Sequence, residues 1–205
     1  PLSGGGLGPL LCELQFGSLL VRTQTCLHSD RLDGAADFLV YGSFRSFRDF
    51  SFVICCKTNF FSTRDMLTHF LPLIKAGGRV VNVSSFVSFR TLNNCSPALQ
   101  QRFRSEDITE DELVRLMQRF VAETQKGKHK EDGCLTTLSM IQARSLSKER
   151  PNDGILLNAC CPGWVRTDMA GDKAPKSPDE GAITPVYLAL LPPGATEPHG
   201  KFVSD

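Results

Sequence analysis

Two stretches of the chain place hydroxyl or thiol side chains directly after a short apolar run: Val83-Ser84-Ser85 and Cys160-Cys161-Pro162-Gly163. A serine hydroxyl at the end of a buried strand is placed to donate to a developing oxyanion, and a Pro-Gly turn brings bare backbone close to a ligand. The same residues have a plainer reading, because serines after strands also cap helices and Pro-Gly also simply turns a chain. One thiol of the Cys160-Cys161 pair is expected to face a cleft beside that turn. The eight cysteines, Cys12, Cys26, Cys55, Cys56, Cys95, Cys134, Cys160 and Cys161, contain no C-x-x-C pair and no histidine at ligand spacing. Neither a disulfide scaffold nor a metal site therefore follows, and reduced structural thiols are expected.

These residues need elements to position them. Phe60, Thr63, Leu67, Leu71 and Ile74 share one helical face, and the glycine pair Gly77-Gly78 is read as the stop of that helix. Arg79-Val80-Val81-Asn82-Val83-Ser84 then reads as a buried parallel strand, short and β-branched. Thr109 and Glu112 form a capping box ahead of the stripe Leu113, Leu116, Met117, Phe120 and Val121, which Gly127 closes. Leu135, Leu138, Ile141 and Leu146 mark another helix ended before Pro151, and Ile155-Leu156-Leu157-Asn158-Ala159-Cys160 a second buried strand. Ser177-Pro178-Asp179-Glu180 opens a last helix through Leu190, and Lys201-Phe202-Val203-Ser204 reads as an edge strand. Phe38-Leu39-Val40-Tyr41 and Phe52-Val53-Ile54-Cys55 are short apolar runs compatible with strands, in an N-terminal segment 1–56 that carries no sustained period. Helices alternating with short apolar strands predict an α/β fold, a doubly wound parallel sheet with its site at the carboxyl ends of the strands.

A chain of 205 residues with 41% hydrophobic content can bury one core. Twenty-three Lys and Arg against 22 Asp and Glu leave a net charge of +1, which gives no pull toward nucleic acid or an anionic membrane. A small molecule or a protein is the expected partner. No apolar run approaches the roughly 18 residues of a membrane span, and a cytoplasmic location is expected.

Three runs carry a resemblance. Lys57-Thr58-Asn59-Phe60-Phe61, Gly78-Arg79-Val80-Val81-Asn82-Val83-Ser84-Ser85 and Asn158-Ala159-Cys160-Cys161-Pro162-Gly163-Trp164-Val165-Arg166-Thr167-Asp168-Met169 resemble, in order and wording, the carbonyl reductases of the short-chain dehydrogenase/reductase superfamily. The likeness continues through Thr184-Pro185-Val186-Tyr187-Leu188-Ala189-Leu190-Leu191-Pro192-Pro193 and covers residues 57–205. It implies a Rossmann-type sheet and reduction of ketones, aldehydes and quinones with NADPH as cofactor. Ser85 is implied as the hydroxyl that steadies the alkoxide, and Asn59 as the anchor of a water in the proton relay. Val165, Arg166 and Thr167 are implied contacts to the nicotinamide end, and Trp164 and Met169 with Ser85 as the substrate wall. The stretch around 109–126 resembles the insertion that covers the family's oligomerisation surface, which implies a monomer.

The resemblance also implies parts that this sequence lacks. The family's Tyr-x-x-x-Lys belongs between Ser85 and Ile155, yet no tyrosine occurs at positions 42–186. The chain runs from Lys130-Glu131-Asp132-Gly133 directly into Cys134-Leu135-Thr136-Thr137-Leu138. Tyr41 and Tyr187 are the two tyrosines, and neither has lysine four residues on. The glycines at positions 4–8 match neither G-x-G-x-x-G nor the family's T-G-x-x-x-G-x-G. The N-terminal strands and the phosphate loop are thus expected to be missing, and activity to be lost. The competing readings are a non-catalytic binding domain that uses the cleft at Ser85 and Trp164, and an aberrantly assembled coding region.

Overall fold

In the middle of the sheet, six consecutive residues, 78–83, are buried on both faces, as a central parallel strand demands. The computed structural model describes residues 36–41, 57–124, 134–168 and 170–204. Its sheet has four parallel strands in the order β1 (Ala36–Tyr41), β2 (Ile74–Val83), β3 (Leu156–Cys161) and β4 (Phe202–Ser204). Val83 stands beside Cys160, and Cys160 beside Val203, so the carboxyl ends of β2, β3 and β4 lie level.

Among the described residues six α-helices flank the sheet: α1 (Thr63–Phe70), α2 (Val87–Asn94), α3 (Pro97–Arg104), α4 (Glu110–Thr124), α5 (Cys134–Glu149) and α6 (Pro178–Ala189). Strand alternation divides the core in two. Val80 and Leu157 meet Phe60, Leu67, Leu113, Met117, Leu138 and Ile141 from the layer of α1, α4 and α5. Val81, Val83, Leu156 and Cys160 meet Leu188 and Leu191 on the opposite face, under α6. The α/β parallel sheet expected from the alternation of elements is therefore the observed one. No helix among the described residues is long and apolar enough to cross a membrane.

Several boundaries differ from the sequence reading. The helix expected to run from Asn59 to Ile74 is three pieces: a π-helical turn (Lys57–Ser62), α1, and a 3-10 turn (Leu71–Leu73). Pro72 lacks an N–H and ends the α-helical ladder, after which Ile74 is already extended at φ −70°, ψ 130°. Gly77 and Gly78 therefore stop no helix. They lie inside β2, where Gly77 takes φ +76° and the pairing with β1 shifts register between Ala36 and Phe38. β3 begins and ends one residue later than predicted, and α6 ends at Ala189. α2 and α3 have no counterpart in the sequence reading. The run Phe52-Val53-Ile54-Cys55, the glycines at 4–8 and the Gly127 and Gly133 positions lie outside the described residues.

At the amino edge, Arg79 is buried to 4% exposure, and burial pulls its pKa below the ordinary guanidinium value. Its guanidinium donates to the carbonyls of Gly77 (2.6 Å), Gly78 (3.2 Å), Gly154 (3.2 Å), Leu191 (3.3 Å) and Pro192 (2.7 Å). The start of β2, the turn into β3 and the exit of α6 are thereby tied to one cation.

Candidate active site

The carboxyl ends of β2 and β3 meet through the Ser84 N–H, which donates to the Cys160 carbonyl at 2.7 Å. Ser84 itself is buried, with its Oγ 2.9 Å from Thr136 Oγ1 of α5 and 3.4 Å from Ser88 Oγ of α2. One turn deeper, Asn82 Nδ2 donates to Ser139 Oγ at 2.8 Å, and Ser139 Oγ donates to the Leu135 carbonyl. A polar seam of Asn82, Ser84, Thr136 and Ser139 thus fixes the first turns of α5 against β2. Ser85 follows at the exposed rim, half-buried, where its Oγ accepts from the Val87 N–H at 3.2 Å and so shapes the entry to α2. The plain reading of a strand-end serine, a turn residue, holds for Ser85 without removing its hydroxyl proton from use, because it acts here as acceptor.

Beyond β3, Gly163 takes φ +84°, a conformation that an L side chain strains to adopt. Trp164 is 57% exposed. Val165 forms a parallel bridge with Lys176, and the backbone of Gly181 in α6 comes so close that a Cβ there would lie 2.4 Å from Val165 Cγ2. Arg166 donates through one nitrogen to the carbonyls of Ala174 (3.0 Å) and Pro175 (2.8 Å), folding the loop back on itself. Thr167 Oγ1 accepts from the Ala170 N–H at 3.3 Å. Ser177 closes the arrangement: its hydroxyl accepts from the Glu180 N–H while Glu180 accepts from the Ser177 N–H, the complete capping box expected there.

Asn59 lies in the π-helical turn that leads into α1, and its carbonyl accepts from Thr63 Oγ1 at 2.9 Å. Because α1 ends beside the amino end of β2, its start points toward the carboxyl edge, and single π turns of this kind recur at functional sites. Ser85 follows the end of β2 and segment 164–167 follows the end of the neighbouring β3. Met169 lies outside the described residues.

One expectation is overturned. Both Cys160 and Cys161 are buried, so neither thiol of the pair faces a cleft. They end β3 inside the sheet, flanked by β2 and β4, and burial pushes the Cys160 thiol up to about 12. The Cys161 Sγ instead accepts from the Gly163 N–H at 3.4 Å and helps close the turn. Sequence reasoning passed over Thr136, Lys176 and Gly181. The small residue one turn into a helix facing a polar strand end was the available signal for Gly181.

A parallel sheet with a hydroxyl at the end of one strand and a Pro-Gly turn at the end of the next puts polar groups and bare backbone where open α/β sheets bind their ligands. Solved structures share this fold. Salutaridine reductase from Papaver somniferum matches with a TM-score of 0.61 at 23% identity, covering 73% of this chain and 53% of that one. Menthone neomenthol reductase from Mentha piperita matches with 0.52 at 28% identity, covering 74% and 50%. A short-chain dehydrogenase from Burkholderia cenocepacia, solved in complex with NADP, matches with 0.51 at 18% identity, covering 83% and 64%. No family-level sequence model matches the chain. Among curated proteins, human carbonyl reductase (NADPH) 1 is 63% identical over 163 residues, which span 74% of this chain and 59% of the human protein. The pig protein of the same name is 49% identical over an alignment of 209 positions, which spans 95% of this chain and 69% of the relative. The chain belongs to the carbonyl reductase family of the short-chain dehydrogenase/reductase superfamily.

Proposed function

We propose that this chain carries the substrate-facing half of an NADPH-dependent carbonyl reductase site and, as it stands, does not turn over. The residues at the carboxyl edge fit the nicotinamide end of NADPH. Gly163 supplies the left-handed turn, and segment 164–167 runs past the strand end with Trp164 exposed. Val165, Arg166 and Thr167 would hold that end by backbone and hydroxyl contacts. Bound NADPH supplies a hydride to a ketone, aldehyde or quinone carbon.

Ser85 would donate its hydroxyl proton in a hydrogen bond to the substrate oxygen and steady the negative charge that grows there. Trp164 and Met169 would form the apolar wall, and Asn59 would hold a water behind the site. What the chain does not offer is a proton for the alkoxide. The carrying observation is that positions 42–186 contain no tyrosine, although α5, β2 and the Ser84 contact to Thr136 are all formed. Tyr187 is 55% exposed on α6 and has leucine four residues on, so it replaces neither member of the pair. Loss of a general acid costs about 10² to 10⁴ in rate, and the paired lysine would add cofactor affinity to that loss.

The test is to titrate NADPH by its fluorescence and to follow reduction of an aromatic ketone or quinone, in the chain as given and in one with a Tyr-x-x-x-Lys segment inserted between Gly133 and Cys134. The reading expects turnover only after insertion. Turnover by the unaltered chain would sink it. The same reading carries a monomeric state and a cytoplasmic location, which light scattering and fractionation check.

A further inference from the structure

Lys176 stands where the turn after β3 and the start of α6 meet. Its N–H donates to the Trp164 carbonyl at 3.2 Å, and its carbonyl accepts from the Arg166 N–H at 2.9 Å, on either side of Val165. Its side chain reaches back over the turn, and Nζ donates to the Pro162 carbonyl at 3.5 Å. A Cβ built on Gly163 would lie 2.9 Å from Nζ, 3.0 Å from Cε and 3.1 Å from Cδ. The lysine stem therefore lies flat on the bare Cα of Gly163, a fit that any larger residue at 163 abolishes. The next residue, Ser177, is the N-cap of α6, so Lys176 continues directly into the helix.

We propose that Lys176 is a positioning residue: through its side chain it holds the Pro162-Gly163 turn against the start of α6 and so sets the backbone of segment 164–167. This rests on the reading that segment 164–167 holds the nicotinamide end of the cofactor. The backbone bridge alone fixes one side of the segment. The ammonium fixes the other, because a charged donor on the Pro162 carbonyl restrains the turn from which Trp164 departs.

Trp164 is the chain's one tryptophan, so its fluorescence reports this segment without any ligand. Lys176→Met keeps the apolar stem and removes the donor. In that variant the steady-state anisotropy of Trp164 falls and NADPH binds about tenfold more weakly, the effect of one lost charged hydrogen bond. The melting temperature stays at the wild-type value, and Lys176→Arg, which returns a donor, recovers the anisotropy. Unchanged Trp164 anisotropy in Lys176→Met overturns the proposal. If the unaltered chain binds no NADPH, the cofactor reading fails by itself, and the anisotropy comparison alone decides the role of Lys176. Should Lys176→Met not fold, Lys176→Leu, which also carries no donor, is measured in its place against the same two outcomes.

Discussion

At the amino edge of the sheet one long cation, Arg79, reaches five carbonyls, whereas at the carboxyl edge short hydroxyls and glycines fit against one another at close range. The first arrangement fastens three separated stretches of chain to a single point. The second leaves no room for change but concentrates little energy in any one contact. Open α/β sheets bind ligands at the carboxyl edge, so the comparison predicts that stability and the proposed site are kept apart. Damage at Arg79 should unfold the protein, while damage near Gly163 or Gly181 should displace the site inside a folded one.

The largest effect tests that division most directly. Arg79→Met removes every donor that the five carbonyls share and should cost about 3 kcal/mol of unfolding free energy, because buried carbonyls lose a charged partner. Chemical denaturation measures it, and the folded fraction should keep the Trp164 emission of the wild type. A loss under about 0.5 kcal/mol, the scale of an ordinary surface change, would break the comparison.

At the other edge, Gly181→Ala forces a Cβ to within 2.4 Å of Val165 Cγ2 and should cost about 2 kcal/mol through overpacking. Here the emission of Trp164 in the folded protein should change as well. Thermal melts and fluorescence on the same sample read both, and destabilisation with an unchanged spectrum would place Gly181 with the core rather than with the site.

A smaller effect lies in the cap of α6. Ser177→Ala should cost about 1 kcal/mol by denaturation. The hydrogen bond from the Ser177 N–H holds the Glu180 carboxyl below its ordinary value of 4.5. Since the folded value is the lower one, the cap contributes stability above about pH 4.5 and loses it as the pH falls through the folded value. The wild-type melting temperature should therefore fall more steeply with acid than that of Glu180→Gln. Equal slopes would remove the carboxylate from the cap's energetics.

The smallest expected response is at Cys160. With its thiol buried and pushed up to about 12, it should remain unalkylated by iodoacetamide at mildly alkaline pH, as peptide mass mapping of the native protein reads. Rapid modification would mean that the end of β3 opens, and would bring the two edges closer in stability than their contacts imply.

Much of this was legible in the sequence where one residue type decides one geometry. The Ser177-Pro178-Asp179-Glu180 box, the stripe buried through Leu113 and Met117, and the β-branched run into Val83 needed no tertiary information. The resemblance named Ser85 and segment 164–167 as candidates by contiguous wording. What escaped depends on neighbours distant in sequence. Gly77 and Gly78 look like a helix stop until β1 is laid beside them, and nothing in the run from Arg79 announces that five carbonyls converge on its guanidinium. Thr109 caps the Glu112 N–H as its spacing says, but the Glu112 carboxylate pairs with Arg102 instead of returning to the cap. The Cys160-Cys161 pair misled for the same reason, since only the flanking strands show that both thiols are enclosed.

Pro185 sits inside α6 and cannot donate to the carbonyl four residues back, that of Gly181. The helix is therefore mechanically two parts joined by a missing rung. Its first turn packs against Val165 through Gly181, and its second half packs on the sheet through Leu188. A load on segment 164–167 therefore meets α6 on the amino side of this missing bond, and the half that packs on the sheet lies beyond it.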